Sequence, residues 1–515
     1  MFFLILLIAG IFIFPATAAA HGMIWMNQYK NWFDGVQWNI VGGFVAFVVI
    51  GYFIFRLSIK KLSQIDLLDY AYGRAIMKSR WYPFVFQLPA LIMFGFIFYY
   101  LFLGSYYFSE NPGAVLTWTL WWALLPLTFI LVGRLWCAVC PFAWISDIVQ
   151  KFFGKRQRVP VWLARYSFWI VDGIFVFITW FDRVFGMTSR PFITGLVFIG
   201  LLLGVVICAL LYERRAFCRY VCFLGNVAGT YSMAAPLELT SKNPEVCKQC
   251  TQKFCFAGRE GKPGCPFSLV IPSKEGNRFC TLCANCIKAC PYDNIALKVR
   301  PFGTDFWRRI AVRFDESFFA KMLVGIVILQ NIGMLTLWNS ISGFVSRATN
   351  ITNETWLFTL VYFMTISIPL ALMFFTSAIS SKAGKENVIQ NFARFGYAFV
   401  AVDLAGHLAH NLNHFFGEGK TILAAFAGLF SGEVRQIIFQ WFLNYGTVRV
   451  LQYFILGIGV LATIAITYRI AKRTAQTKWQ LAGVMIPHLI LLLGLMALNF
   501  YIFSLPMTHR SQNLI

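Results

Sequence analysis

Long apolar runs alternate with short polar connections along this chain. Ten of the runs reach the length of about 20 residues that a membrane-crossing helix needs. They predict spans near 37–57, 83–104, 115–135, 166–182, 191–212, 318–338, 356–378, 395–416, 448–469 and 482–505. The alternation breaks once, over 213–317, where a long hydrophilic insertion divides five spans from five. Residues 1–20, MFFLILLIAGIFIFPATAAA, form a further apolar run that ends in small residues and reads as a signal peptide or N-terminal anchor. The expected domains are therefore 1–20, a membrane half over 21–212, the insertion over 213–317 and a second membrane half over 318–515. In the stretch 417–447 the apolar segment TILAAFAGLF is too short to span and is expected to lie at the membrane interface or to re-enter.

Composition narrows the class. The 515 residues are 59% hydrophobic and only 13% charged, against roughly 25% charged in a soluble domain. That excludes a cytosolic globule, a disordered chain and a secreted disulfide scaffold. The net charge of +23 would suggest nucleic acid on a soluble protein. Here the basic residues collect in the loops on one face of the alternation: Arg56, Lys60, Lys61 and Arg74 after the first span, Lys151, Lys155, Arg156 and Arg158 after the third, Lys472 and Arg473 after the ninth. By the positive-inside rule that face is cytoplasmic, so no nucleic-acid partner is needed. The expected location is the bacterial inner membrane, with the insertion cytoplasmic and both termini periplasmic.

Thirteen cysteines carry the chemistry. Cys280-x2-Cys283-x2-Cys286-x3-Cys290-Pro291 is the bacterial ferredoxin run. Its first three thiolates hold one [4Fe–4S] cube while the fourth reaches a second. Upstream, Cys247-x2-Cys250-x4-Cys255-x9-Cys265-Pro266 follows the same logic with longer intervals. Two clusters are expected, one on Cys280, Cys283, Cys286 and Cys265, the other on Cys247, Cys250, Cys255 and Cys290. Zinc ribbons use two CxxC pairs without such proline-terminated runs. Disulfides do not suit a reducing compartment. The fold class is completed by a bacterial-ferredoxin-like α+β insertion.

Four more cysteines sit where spans three and five reach the cytoplasmic face: Cys137-x2-Cys140-Pro141 and Cys218-x3-Cys222. Two spans that run in one direction and end at one depth can gather four thiolates into a third metal site or a dithiol pair. Arg134, Arg214, Arg215 and Arg219 lie alongside and are expected to lower the thiol pKa values. Cys208, within the fifth span, reads as packing.

These motifs resemble the membrane-bound 4Fe–4S polyferredoxins of the NapH/NosR type, with CcoG as a related branch. The resemblance covers roughly 80–300. It implies electron transfer between the quinol pool and periplasmic reductases or their maturation, and in the CcoG branch copper reduction. The chain departs from the pattern in three ways. The first boundary motif is one residue short, and the second has Phe223 in place of proline. A second five-span half stands where a periplasmic flavin-binding domain is absent.

That second half holds the other signal. With Asp403 at zero, His407, His410 and His414 fall at about 40°, −20° and 20° around a helix, so all four share one face. Ionisable groups inside a bilayer mark function by default. Three readings compete: a quinol site taking up protons, haem b ligated with His488 or His509 opposite, and a transition-metal site. Cleavage after Ala20 would expose His21, whose amino group and imidazole can chelate copper. No nucleotide-binding or hydrolase motif occurs. The expected function is electron transfer between quinol, or a cytoplasmic donor, and a periplasmic redox protein or reductase, with further membrane subunits as partners, and with a copper-handling or metal-reducing assembly factor as the alternative.

Overall fold

The computed structural model describes residues 36–308, 312–335, 337–419, 421–423 and 443–505. Among these, eight helices are long and apolar enough to cross a membrane. They are α1 (Trp38–Leu62), α2 (Phe84–Leu103), α3 (Pro112–Val132), α6 (Val161–Phe185), α7 (Pro191–Leu211), α14 (Glu354–Gly384), α16 (Tyr445–Thr474) and α17 (Lys478–Ser504). All begin and end within a turn or two of a predicted span. The other two predicted spans, 318–338 and 395–416, are helical, as α13 (Phe314–Ile332) and α15 (Val388–Gly417), but fall outside this set. Of the ten expected crossings, eight meet the length and composition of a span among the described residues. The polar content explains the difference: α13 carries Asp315, Glu316 and Lys321, and α15 carries Asp403 and three histidines. Residues 1–35, 424–442 and 506–515, and with them the leader, His21, His509 and most of TILAAFAGLF, lie outside the described residues.

The chain divides into two compact units. One runs over Ile50–Ala320 and holds every cysteine. Between its membrane helices lie α4 (Leu135–Val139) and α5 (Pro141–Phe153). After α7 come α8 (Ala216–Tyr220), α9 (Phe223–Ser232), β1 (Leu237–Ser241), α10 (Pro244–Gln249), α11 (Phe254–Ala257), β2 (Gly258–Arg259), β3 (Lys262–Pro263), α12 (Asn285–Ala289) and β4 (Ile295–Val299). Strands β1 and β4 pair antiparallel with Leu239 opposite Leu297. Strands β2 and β3 form a short hairpin. The hydrophilic insertion is therefore no free-standing lobe. Its core of Leu239, Ile271, Leu282, Ile287, Ile295 and Leu297 is completed by Leu68 and Tyr82, which precede α2. The buried Asp66 carboxylate accepts from the Leu68 and Leu297 backbones, each at 2.9 Å, and binds Lys242 at 3.0 Å. So part of the basic loop after α1 is structural: it docks on β4 and seals one end of the cysteine core.

The other unit comprises 1–49 and 321–515. Here α15 is buried along most of its length, with α16 and α14 against it. Its interior is unusually polar for a membrane protein. Asn331, Asn391, Asp403, His410, His414, Glu418, Gln452 and His488 are all buried. Such groups are costly in a bilayer unless they bond to one another.

Candidate iron–sulfur and proton sites

Cys247, Cys250, Cys255 and Cys290 line one pocket that is open to solvent. Asn294 donates to Cys247 Sγ at 3.2 Å through its side chain and to Cys290 Sγ at 3.5 Å through its backbone. Burial raises the Cys255 thiol, and Cys247, Cys250 and Cys290 raise it further. Cys265, Cys280, Cys283 and Cys286 gather in a second group. Burial pushes Cys265 up to about 11, with Cys283 and Cys280 adding to the rise. Cys286, fully enclosed, is raised in the same way by burial and then by Cys280, Cys283, Cys265 and Cys255. The run CTLCANC reaches this arrangement through left-handed backbone at Leu282 (φ 55°) and Ala284 (φ 62°). Such strain in non-glycine residues persists where the surroundings over-determine it, typically at functional sites. Tyr82 packs above the group and donates to the Leu282 carbonyl at 2.8 Å.

The boundary motifs share one local design. Cys140 is the N-cap of α5 and Cys222 the N-cap of α9. Gly225 N–H donates to Cys222 Sγ at 3.3 Å, whereas the Cys140 sulfur sits at the start of α5 without a capping hydrogen bond. Proline at N1 suits the first helix. In the second, Phe223 takes the same position and is held by packing, its ring 5.9 Å from that of Phe175. The departure from the proline pattern therefore leaves the cap intact. The exposed N–H groups and dipole of a helix N-terminus favour negative charge on the capping sulfur.

An ion-pair clamp ties the two motifs together. Asp147, on α5, accepts from Arg214 Nε and Nη2 at 3.0 Å each and from Arg215 Nη2 at 2.8 Å. Burial alone would raise this carboxyl, but Arg215 and Arg214 hold it down at about 2. Arg215, at φ 54°, also donates to the Cys137 carbonyl at 3.4 Å. The sequence reading passed over Asp147, the only acid between Glu110 and Asp172. Its isolation among Lys151, Lys155, Arg156 and Arg158 was the available signal.

The clamp brings all four boundary thiols within range of one another. Burial pushes Cys140 up to about 12, with Cys137 and Cys222 contributing. It raises Cys222 to about 11 and Cys218 well above the usual thiol value. The expectation that the arginines lower these thiols is corrected here. Arg215 does favour the Cys218 thiolate and Arg134 that of Cys222, but desolvation is the larger effect. A bound cation would favour the thiolates of the buried Cys140, Cys218 and Cys222.

The donor sets fit iron–sulfur cubes better than single ions. Among the described residues no three His, Cys, Asp or Glu side chains converge tightly enough to chelate one metal ion. Zinc would draw its sulfurs onto bonds of about 2.3 Å, whereas a four-iron cube is a larger body and keeps its thiolates further apart. Each group offers four thiols.

In the other unit His410 and His414 pair through Nε2 to Nε2 at 3.1 Å. His410 Nδ1 lies 2.7 Å from Asn331 Oδ1, and His414 Nδ1 lies 3.1 Å from Glu418 Oε1. His410 thus has both ring nitrogens in hydrogen bonds, while His414 Nδ1 meets Glu418 as an ion pair only. His488 bonds Asn391 at 2.8 Å and stacks on Phe395. Asp403 and His407 are buried on the same helix. Glu418 and Asn331 were missed from sequence. Glu418 falls at about 60° on the histidine face and was legible there; Asn331, on α13, was not.

The family "4Fe-4S binding domain" matches over 114–160 and 194–235, the two segments that bear the boundary cysteines. A protein of Escherichia coli (strain K12) described as "Putative electron transport protein YccM" is 25% identical to this chain. The match covers 33% of this chain and 53% of that protein, so the chain spans about half the length of this relative. No solved structure matches. The chain is an all-α polytopic membrane protein similar to membrane-bound proteins of the 4Fe–4S ferredoxin type.

Proposed function

We propose that the protein transfers electrons between quinol, or a cytoplasmic donor, and a periplasmic redox partner through three sulfur-ligated sites in series. The first site is Cys247, Cys250, Cys255 and Cys290; the second Cys265, Cys280, Cys283 and Cys286; the third Cys137, Cys140, Cys218 and Cys222. Loaded with [4Fe–4S], each would supply a one-electron centre. The observation that carries the reading is the adjacency of the three groups within one unit. Cys255 packs against the core cluster that contains Cys286, joining the first to the second. Arg215 feels both Cys218 and Cys283, joining the second to the third.

The residues between the second and third sites are placed to couple them. Arg134 bonds Cys137 Sγ at 3.5 Å, donates to the Arg278 carbonyl at 2.9 Å and lies 4.7 Å over the ring of Phe267, two residues after Cys265. Arg219 reaches Ser268 at 3.0 Å. These fixed cations stabilise added negative charge on either side, which eases reduction of both. The outermost pocket, edged by Cys247 and Cys250, opens to solvent, where a cytoplasmic donor docks. The basic loops support this orientation. Potentiometric electron paramagnetic resonance of the full-length protein tests the series. Interacting spectra that simplify on Cys222→Ser support it; three non-interacting signals, or no signal lost in that variant, contradict it.

A further inference from the structure

We propose that His410, His414 and Glu418 form a proton-relay site that moves one proton along α15 between the Glu418 carboxyl and the His410 ring, with Asn331 fixing the inner end. The inference stands apart from the electron path proposed above, since it rests on contacts within the other unit alone.

The hydrogen-bond chemistry dictates the proton positions. Asn331 Nδ2 donates to the Val327 carbonyl at 2.9 Å, which turns its oxygen toward His410. An amide oxygen only accepts, so His410 carries its proton on Nδ1. Between His410 Nε2 and His414 Nε2, at 3.1 Å, there is room for one proton, and His414 Nδ1 and Glu418 Oε1 lie 3.1 Å apart as an ion pair outside hydrogen-bond alignment, so that a rotation of the carboxyl brings a second between them. Three protons therefore fill three contacts. In one arrangement both rings are neutral and Glu418 is a carboxylic acid. When Glu418 passes its proton to His414 Nδ1, His414 becomes imidazolium beside a carboxylate. When His414 then passes its Nε2 proton to His410, the imidazolium is His410 and His414 is neutral again. Proton count and net charge are the same in all three, so the relay moves charge along the helix without the cost of a net charge in a buried site. Asn331 cannot pass the proton on, which makes His410 the terminal station.

The surroundings hold the relay in place. Asp403 and His407 precede it on α15. From α16, Gln452 donates to the Ala409 carbonyl at 2.8 Å, and Arg449, also buried, lies about one turn earlier. His414 is 1% exposed, so bulk water does not compete for its nitrogens.

Nitrogen-15 magnetic resonance of histidine-labelled, full-length protein in lipid nanodiscs tests this. In the unaltered protein, a through-hydrogen-bond coupling between two imidazole Nε2 atoms is expected, with one of these rings protonated at Nδ1. On titration both rings shift in a single step. Asn331→Ala should release the Nδ1 preference of His410, and Glu418→Gln should abolish the joint step while leaving the Nε2–Nε2 coupling. Absence of that coupling in the unaltered protein, or two rings that titrate independently, overturns the proposal. A thermal unfolding transition and size-exclusion profile equal to those of the unaltered protein verify that the variants fold.

Discussion

Asp147 carries more of the boundary site than any single cysteine, because it holds the two halves of the motif together. Its carboxyl is depressed to about 2 in the folded protein against about 3.9 when unfolded. The stability it contributes is fully present above about pH 4 and is lost as pH falls through about 2. That contribution is on the order of 2 kcal/mol. Asp147→Asn should lower stability by about this amount at neutral pH, flatten the acid limb of the unfolding profile and loosen the third site before the other two. Thermal unfolding at pH 7 and pH 3 checks it; an unchanged difference between the two pH values would show that the clamp is idle. The cysteines were legible from sequence because ferredoxin spacing is local. The partners of Asp147 were not, since they lie 67 and 68 positions away.

The helix starts decide how the boundary thiols are presented. Cys140 and Cys222 both stand at the N-cap, of α5 and of α9, although one helix begins with proline and the other with phenylalanine, and only Cys222 accepts a capping hydrogen bond. What the second cap demands is closeness at Gly225. A Cβ there would sit 3.1 Å from the Cys218 carbonyl and 3.0 Å from Arg134. Gly225→Ala should therefore cost about 1–3 kcal/mol in overpacking and reduce iron at the third site, leaving the ferredoxin-type sites filled. Retention of full iron would show that the cap tolerates a side chain. At this scale apolar length was a good guide, since eight spans appear close to where the hydropathy puts them. It was a poor guide for α13 and α15, where buried polar pairs replace apolar content. The docking of the segment before α2 on β4 through Asp66 was likewise hidden, because sequence periodicity does not report contacts between distant segments.

Across the whole molecule, two chemistries occupy two units: sulfur ligands in Ile50–Ala320, hydrogen-bonded imidazoles in the other. The electron path makes a definite demand, namely that the boundary thiols hold a cluster of their own. Iron and acid-labile sulfide per chain in the purified full-length protein, compared with a Cys140→Ser, Cys222→Ser double variant, tests this most directly. Three cubes give roughly twelve irons, falling to about eight in the variant. About eight irons in both would contradict a third site and break the series.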